Sequence, residues 1–185
     1  MEDVKDAISP TGAWLDDHSH YCDIGLCRAI GDMLPMPSVI VDLGCGDGGY
    51  VKRLSARGHY VLGVDGNPVT RNIRNCICAD ITTPLLNLTA EWVLFLGVGE
   101  HIPTNHLETV MFNIRNIAKH GVICSWAERG RRGGYGHVNE MDAHEVCDLF
   151  RKHGFLHDYD ATTSLQSASN ARHIAETVKL LRKIK

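Results

Sequence analysis

The chain has 185 residues, 44% of them hydrophobic, and a formal net charge of −3. That is enough to bury one substantial core, and no apolar run approaches the roughly 18 residues that a membrane-spanning helix needs. A nucleic-acid partner is not expected without a long basic run, although Arg129, Arg131 and Arg132 cluster locally.

The opening Met1-Glu2-Asp3-Val4-Lys5-Asp6 lacks the basic and apolar regions of a secretion signal. The seven cysteines are odd in number and show no C-x-x-C spacing, so reduced thiols in a cytoplasmic protein are expected, not a zinc site or disulfide framework. One domain over 1–185 is expected, with 1–37 a helical extension or lid and 38–185 an α/β core. Within the extension, His18 and His20 with Asp23, Glu100 and His101 bear on a divalent cation. However, H-x-H spacing suits a strand better than the helix expected here, and Mg²⁺ prefers oxygen. No metal is expected; His18, His20 and Tyr21 are read as parts of a lid that touches cofactor or acceptor.

Val39-Ile40-Val41-Asp42-Leu43 is an apolar run ending near an acid, followed by Gly44-Cys45-Gly46-Asp47-Gly48-Gly49 and a helical pattern from Tyr50 to Leu54. This predicts a buried strand, a tight turn and a helix N-terminus, where glycine allows positive φ and lets a ligand lie against bare backbone. No Lys-Ser/Thr follows, so it is not a phosphate loop; the spacing is nearer the dinucleotide pattern. Asp42 and Asp47 would repel a pyrophosphate and favour a ligand with an ammonium group. Tyr60–Val64 predicts a second strand ending in Asp65-Gly66-Asn67-Pro68, and an acid there, about 20 residues past the glycines, suits ribose hydroxyls. Ile77–Ile81 predicts a short third strand carrying Asp80.

The remainder alternates. Strands are expected over Trp92–Leu96 and Gly121–Trp126, and helices over Leu107–Ala118 and Met141–His153. A sixth and a seventh strand, with a short helix between them, are expected at Phe155–Asp160 and Thr177–Leu181. This is the pattern of a doubly wound α/β fold: a mostly parallel seven-stranded sheet with helices on both faces and a ligand crevice at the strands' carboxyl ends.

Two segments at that rim carry candidate chemistry. Gly97-Val98-Gly99-Glu100-His101-Ile102-Pro103 supplies an acid and a histidine. The glycine-rich stretch from Ser125 to Asn139 is long enough to be functional. In it Trp126 offers a stacking wall, Arg129 a donor to the acceptor, His137 a general base, and Asn139 a group to orient base or substrate. Glu100 and His101 are read as assisting His137.

Asp-x-Gly-x-Gly over Asp42–Gly46 resembles motif I of class I S-adenosylmethionine methyltransferases. Gly12 and Trp14, Val98-Gly99-Glu100-His101-Ile102-Pro103, Ser125-Trp126-Ala127 and Gly136-His137-Val138-Asn139 narrow the likeness to a group of small methyltransferases of large DNA viruses and phages. The resemblance implies S-adenosylmethionine as cofactor and S-adenosylhomocysteine as product. Its implied contacts are Asp42, Gly44, Cys45, Gly46, Asp47, Asp65, Gly66, Asn67, Asp80, Ile81, Leu96 and Gly97, with Asp80 at the adenine amino group. Many relatives carry an acid where Gly97 stands, and Arg131-Arg132 and Ala171-Arg172-His173 also depart from the group. The expected reaction is methyl transfer to a hydroxyl of a small acceptor, first a glycan sugar. The alternatives are N-methylation of a small molecule, protein or RNA, and a non-catalytic S-adenosylmethionine-binding scaffold.

Overall fold

The computed structural model describes residues 8–15, 20–130 and 134–184. Seven strands make one sheet: β1 (Val39–Leu43), β2 (Tyr60–Asp65), β3 (Cys76–Cys78), β4 (Ala90–Leu96), β5 (Ala118–Ser125), β6 (Phe155–Asp158) and β7 (Lys179–Lys183). Their spatial order is β3-β2-β1-β4-β5-β7-β6, with β1 to β5 parallel and β7 antiparallel between β5 and β6. Chain order reverses between β1 and β4, and their carboxyl ends therefore open a crevice.

The sheet is covered on both faces, which is why its strands read as continuous apolar runs. Along β4, Val93 and Phe95 pack towards α3 (Leu107–Ile117) and α4 (Ala143–Lys152). Trp92 and Leu94 pack towards α1 (Ile24–Met33), α2 (Gly49–Ala56) and α5 (Tyr159–Ala168). Leu94 and Phe95 are fully buried, each contributing about 2–3 kcal/mol of apolar burial. No helix among the described residues is long and apolar enough to cross a membrane.

Local chemistry sets the element ends. Asp23 caps α1 by accepting from Leu26 N, and it also accepts from Ser169 Oγ, Asn170 N and Ala171 N just before α6 (Arg172–Ala175). Burial works to raise its pKa, but those hydrogen bonds prevail and hold it below the usual carboxylate range. Asp142 and Glu145 form a capping box at α4. Asp158 accepts from Ala161 N to start α5, which ends β6 two residues before the expected Asp160.

The structure corrects two other boundaries. Among the described residues of the N-terminal extension, helix is confined to α1; residues 8–15 instead fold back through a bridge between Ile8 and Trp14, closed by Ser9. β3 ends at Cys78, so Asp80 and Ile81 sit in the following turn, where Asp80 Oδ1 accepts from Thr82 N and Oγ1. Buried Asn113 of α3 ties this turn down: its amide donates to Ile81 O and Thr83 O and accepts from Leu85 N.

Candidate active site

The loop after β1 carries three glycines at positive φ: Gly44 at 79°, Gly46 at 53° and Gly48 at 74°, the last starting α2. Asp65 stabilises this path from the end of β2, accepting from Gly46 N at 2.9 Å and from Asn67 N at 2.8 Å. Asp47 accepts from Gly49 N and from His20 N, and the His20 ring lies over Gly46. Asp42 is buried beneath the loop, its Oδ2 without a partner among the described residues. Burial, then the charges of Asp65 and Cys22, push it up to about 8.

Two connected spaces meet at this rim. A cleft of about 1120 Å³ is lined by Asp42, the glycine loop, Leu96, Gly97, Glu100, His101 and His137. Tyr21, Arg172 and His173 form another part of its wall. A smaller space of about 110 Å³ lies among Asp65, Gly66, Asp80, Ile81 and Gly97, and residues Thr11–Trp14 roof it. The Trp14 ring meets His101 at 5.5 Å, Tyr135 at 5.4 Å and His20 at 5.9 Å, so this strap is stapled to both rim loops.

The turn after β4 brings Glu100 and His101 into the cleft wall. Glu100 is buried, its Oε2 without a partner among the described residues; burial pushes its carboxyl up to about 7, against hydrogen bonds from its own and the Ala127 backbone and the influence of His137. Burial likewise pushes His101 down to about 4, so its ring is neutral near pH 7. His101 Nδ1 lies 3.2 Å from Gly136 O and 3.4 Å from Trp14 Nε1. The His101 and His137 rings meet edge to face at 4.9 Å. His137 Nδ1 lies 2.8 Å from Glu140 Oε1, a partner three residues on that the sequence reading did not single out. A histidine held on one nitrogen by a carboxylate has the other nitrogen left to exchange a proton.

Several expected contacts have other occupations. Trp126 is no acceptor wall: it is buried against Phe95, with Nε1 donating to Asn139 O at 2.7 Å, and Gly99 packs on its ring. Asn139 is buried too, donating to Gly99 O at 3.4 Å and, through its backbone N, to Glu100 O at 3.0 Å; it braces the turn and faces away from the cleft. Arg129 pairs with Glu145 and, at 3.8 Å, Asp142, which draws it to α4. Asn67 is buried and caps the Pro68–Asn72 turn through Val69 N, outside both spaces. His18 lies outside the described residues, whereas His20 and Tyr21 line the cleft, Tyr21 with its ring 6.1 Å from that of His173.

These residues fit S-adenosylmethionine: in the cleft the buried Asp42 carboxyl would meet an ammonium and the bare glycine backbone a carboxylate, while Asp65, at the end of the second strand in the adjoining space, would meet the ribose. Residues 41–125 match the family model described as a methyltransferase domain. The magnesium protoporphyrin IX methyltransferase of Synechocystis with bound S-adenosylmethionine superposes with a TM-score of 0.60 at 15% identity, over 86% of this chain and 76% of that one. The 1,6-didemethyltoxoflavin-N1-methyltransferase of Burkholderia thailandensis gives 0.64 at 17% identity, over 88% and 80%. A TehB-like S-adenosylmethionine-dependent methyltransferase of Corynebacterium glutamicum gives 0.64 at 19%, over 88% and 89%. At these identities the likeness speaks for the fold, and no curated protein sequence matches the chain. The chain has the class I methyltransferase fold, and its residues 41–125 match a methyltransferase domain, whose cofactor is S-adenosylmethionine. Two of these neighbours are named for different small molecules, a magnesium porphyrin and a didemethyltoxoflavin, so the likeness leaves the acceptor open.

Proposed function

We propose that the protein methylates a hydroxyl of a small acceptor, with a sugar of a glycan as the acceptor class that suits it best. The observation that carries this is the His137–Glu140 pair, set in the wall of the same cleft as Asp42 and the glycine loop. An alcohol needs a proton acceptor near the methyl donor; an amine with a free lone pair does not. The cleft volume exceeds the roughly 300–1,000 Å³ typical of a pocket for one ligand, which leaves room for an acceptor beside the cofactor. Arg172, His173 and Tyr21 offer that acceptor polar partners on the cleft's other wall.

S-adenosylmethionine supplies, when bound, a methyl carbon activated by its sulfonium. Asp42 and the Gly44–Asp47 loop hold its amino-acid end, Asp65, Gly66, Asp80 and Ile81 its nucleoside, and Leu96 and Gly97 form the wall between. His137 takes the hydroxyl proton at Nε2, while Glu140 holds the ring and steadies the imidazolium; Glu100 and His101 shape the adjoining wall. We also read the chain as one methyltransferase domain with residues 1–37 as its cover. On the Gly136–Asn139 loop, we group it with the small viral and phage enzymes.

The test is an S-adenosylmethionine assay over monosaccharides, nucleosides and amines, with products located by mass spectrometry. O-methylation is expected, with His137→Ala lowering kcat by about 10²–10⁴-fold and S-adenosylhomocysteine affinity nearly unchanged. N-methylated products that survive His137→Ala would instead establish the amine alternative. Tight cofactor binding without turnover would leave a binding protein.

A further inference from the structure

We propose that Glu100, His101 and His137 bind a divalent first-row transition cation of the Zn²⁺ type, and that the acceptor is an alcohol whose hydroxyl ligates this cation. Only the second half rests on the hydroxyl-methylation reading. The three side chains each bring one ligand atom within 4.8 Å of the others. Ligands at the usual Zn²⁺ distances stand about 3.4 Å apart around a tetrahedral ion, so small side-chain rotations close the group.

Glu100 provides an independent sign. Glu100 is only 5% exposed and its Oε2 has no hydrogen-bond partner among the described residues, a costly condition for a buried carboxyl unless something positive meets it. The imidazoles are also held as metal-bound imidazoles are. His101 Nδ1 stands between Gly136 O and Trp14 Nε1, and His137 Nδ1 between the Glu140 carboxylate and the N–H of Gly134; a proton on Nδ1 gives the carbonyl and the carboxylate their donor. Each ring then keeps Nε2 for a cation, and backbone carbonyl and carboxylate are the usual outer partners of metal-bound histidine. Two nitrogens and one oxygen suit Zn²⁺, Co²⁺ or Mn²⁺ and not Mg²⁺. Three protein ligands leave a coordination position open, and Gly97 keeps space beside it: a Cβ there would meet only Glu100 Oε1, at 3.8 Å.

The chemistry follows from that position. A hydroxyl on a divalent cation loses its proton far more readily than in water. The proton passes to solvent, the oxygen's lone pair forms the new C–O bond to the methyl carbon, and the C–S pair returns to sulfur, giving S-adenosylhomocysteine. With the ion bound, His137 Nε2 is a ligand and the ion activates the hydroxyl in its place; without the ion, His137 is the proton acceptor.

Calorimetry and Co²⁺ absorption spectroscopy on the full chain, stripped with chelator, test this. We expect Zn²⁺ and Co²⁺ to bind at one ion per chain, Mg²⁺ to give no signal, and Glu140→Gln to weaken Zn²⁺ binding about 10–100-fold. Glu100→Gln and His101→Ala should each weaken it by at least as much. Cofactor binding by each variant serves as the folding control. Absence of stoichiometric Zn²⁺ and Co²⁺ binding by folded wild type overturns the site, as does binding that Glu100→Gln and Glu140→Gln leave intact. Zn²⁺ binding with turnover on amines alone keeps the site and defeats the alcohol. Alcohol turnover untouched by chelator, in protein that binds no Zn²⁺, defeats the site and keeps the alcohol.

Discussion

Because burial and the charge of Asp65 push Asp42 up to about 8, near neutral pH the folded protein holds a proton there that the unfolded chain releases. The sign of the consequence is fixed: a state that binds more protons loses stability as pH rises, so this carboxyl costs the fold increasingly from about pH 4 to about pH 8. Asp42→Asn removes the cost. Its melting temperature should exceed that of wild type, by a margin that widens over this range and levels above it, with a stabilisation on the order of a few kcal/mol. Calorimetry should show the same variant losing most of its affinity for S-adenosylhomocysteine, whose ammonium it can no longer pair. Wild-type affinity should tighten by up to about tenfold per unit between pH 6 and pH 8, as the ionised fraction of Asp42 grows. A flat affinity profile would show that Asp42 does not meet the ammonium. Sequence spacing alone put Asp42 beside the glycines. Its lack of a partner is a product of packing on both faces of β1, which no local pattern records.

The strap of residues 8–15 was expected as part of a helical extension, and its course depends on contacts distant in sequence. A Cβ on Gly12 would strike His101 O, and one on Gly66 would strike Ala13. The space it roofs, about 110 Å³, adjoins the larger cleft and is lined by Asp65 and Asp80, so a nucleoside held by those acids would lie directly under the strap. Trp14, packed among three rings, should therefore change its fluorescence when S-adenosylhomocysteine binds. Trp14→Ala should speed dissociation of that product in stopped-flow measurements, while unaltered dissociation would show the strap to be no barrier. Glu140 shows the opposite limit of sequence reading. It lay three residues from His137 in plain sight, but the pairing depends on the loop curling back at Gly134 and Gly136, which makes Glu140 and not Asn139 the partner of the ring. Trp126 was misassigned for a related reason: a tryptophan next to a glycine-rich loop looks like a stacking surface until Gly99 is found pressed against it.

The seven strands and their two-sided burial were legible because apolar runs between helical periods permit few other architectures. Boundaries moved by one to three residues where a side chain, such as that of Asp158, captured a backbone N–H. Since the cofactor binds the folded chain alone, S-adenosylhomocysteine at 100 times its Kd should add about 2.7 kcal/mol. For a chain of this size that is a rise of roughly 5–10 °C in Tm, much reduced in Asp42→Asn. Differential scanning calorimetry over a ligand series checks both. Asp23 adds a further property. Its carboxylate fastens the start of α1 to Ser169, 146 residues further on, with α6 immediately beyond. The front and rear of the polypeptide are knotted at one point, next to the cleft they jointly enclose. Cutting that tie, as Ser169→Ala would in part, should consequently loosen the doorway at α1, and a change of acceptor taste written into the last helix would be felt by the first.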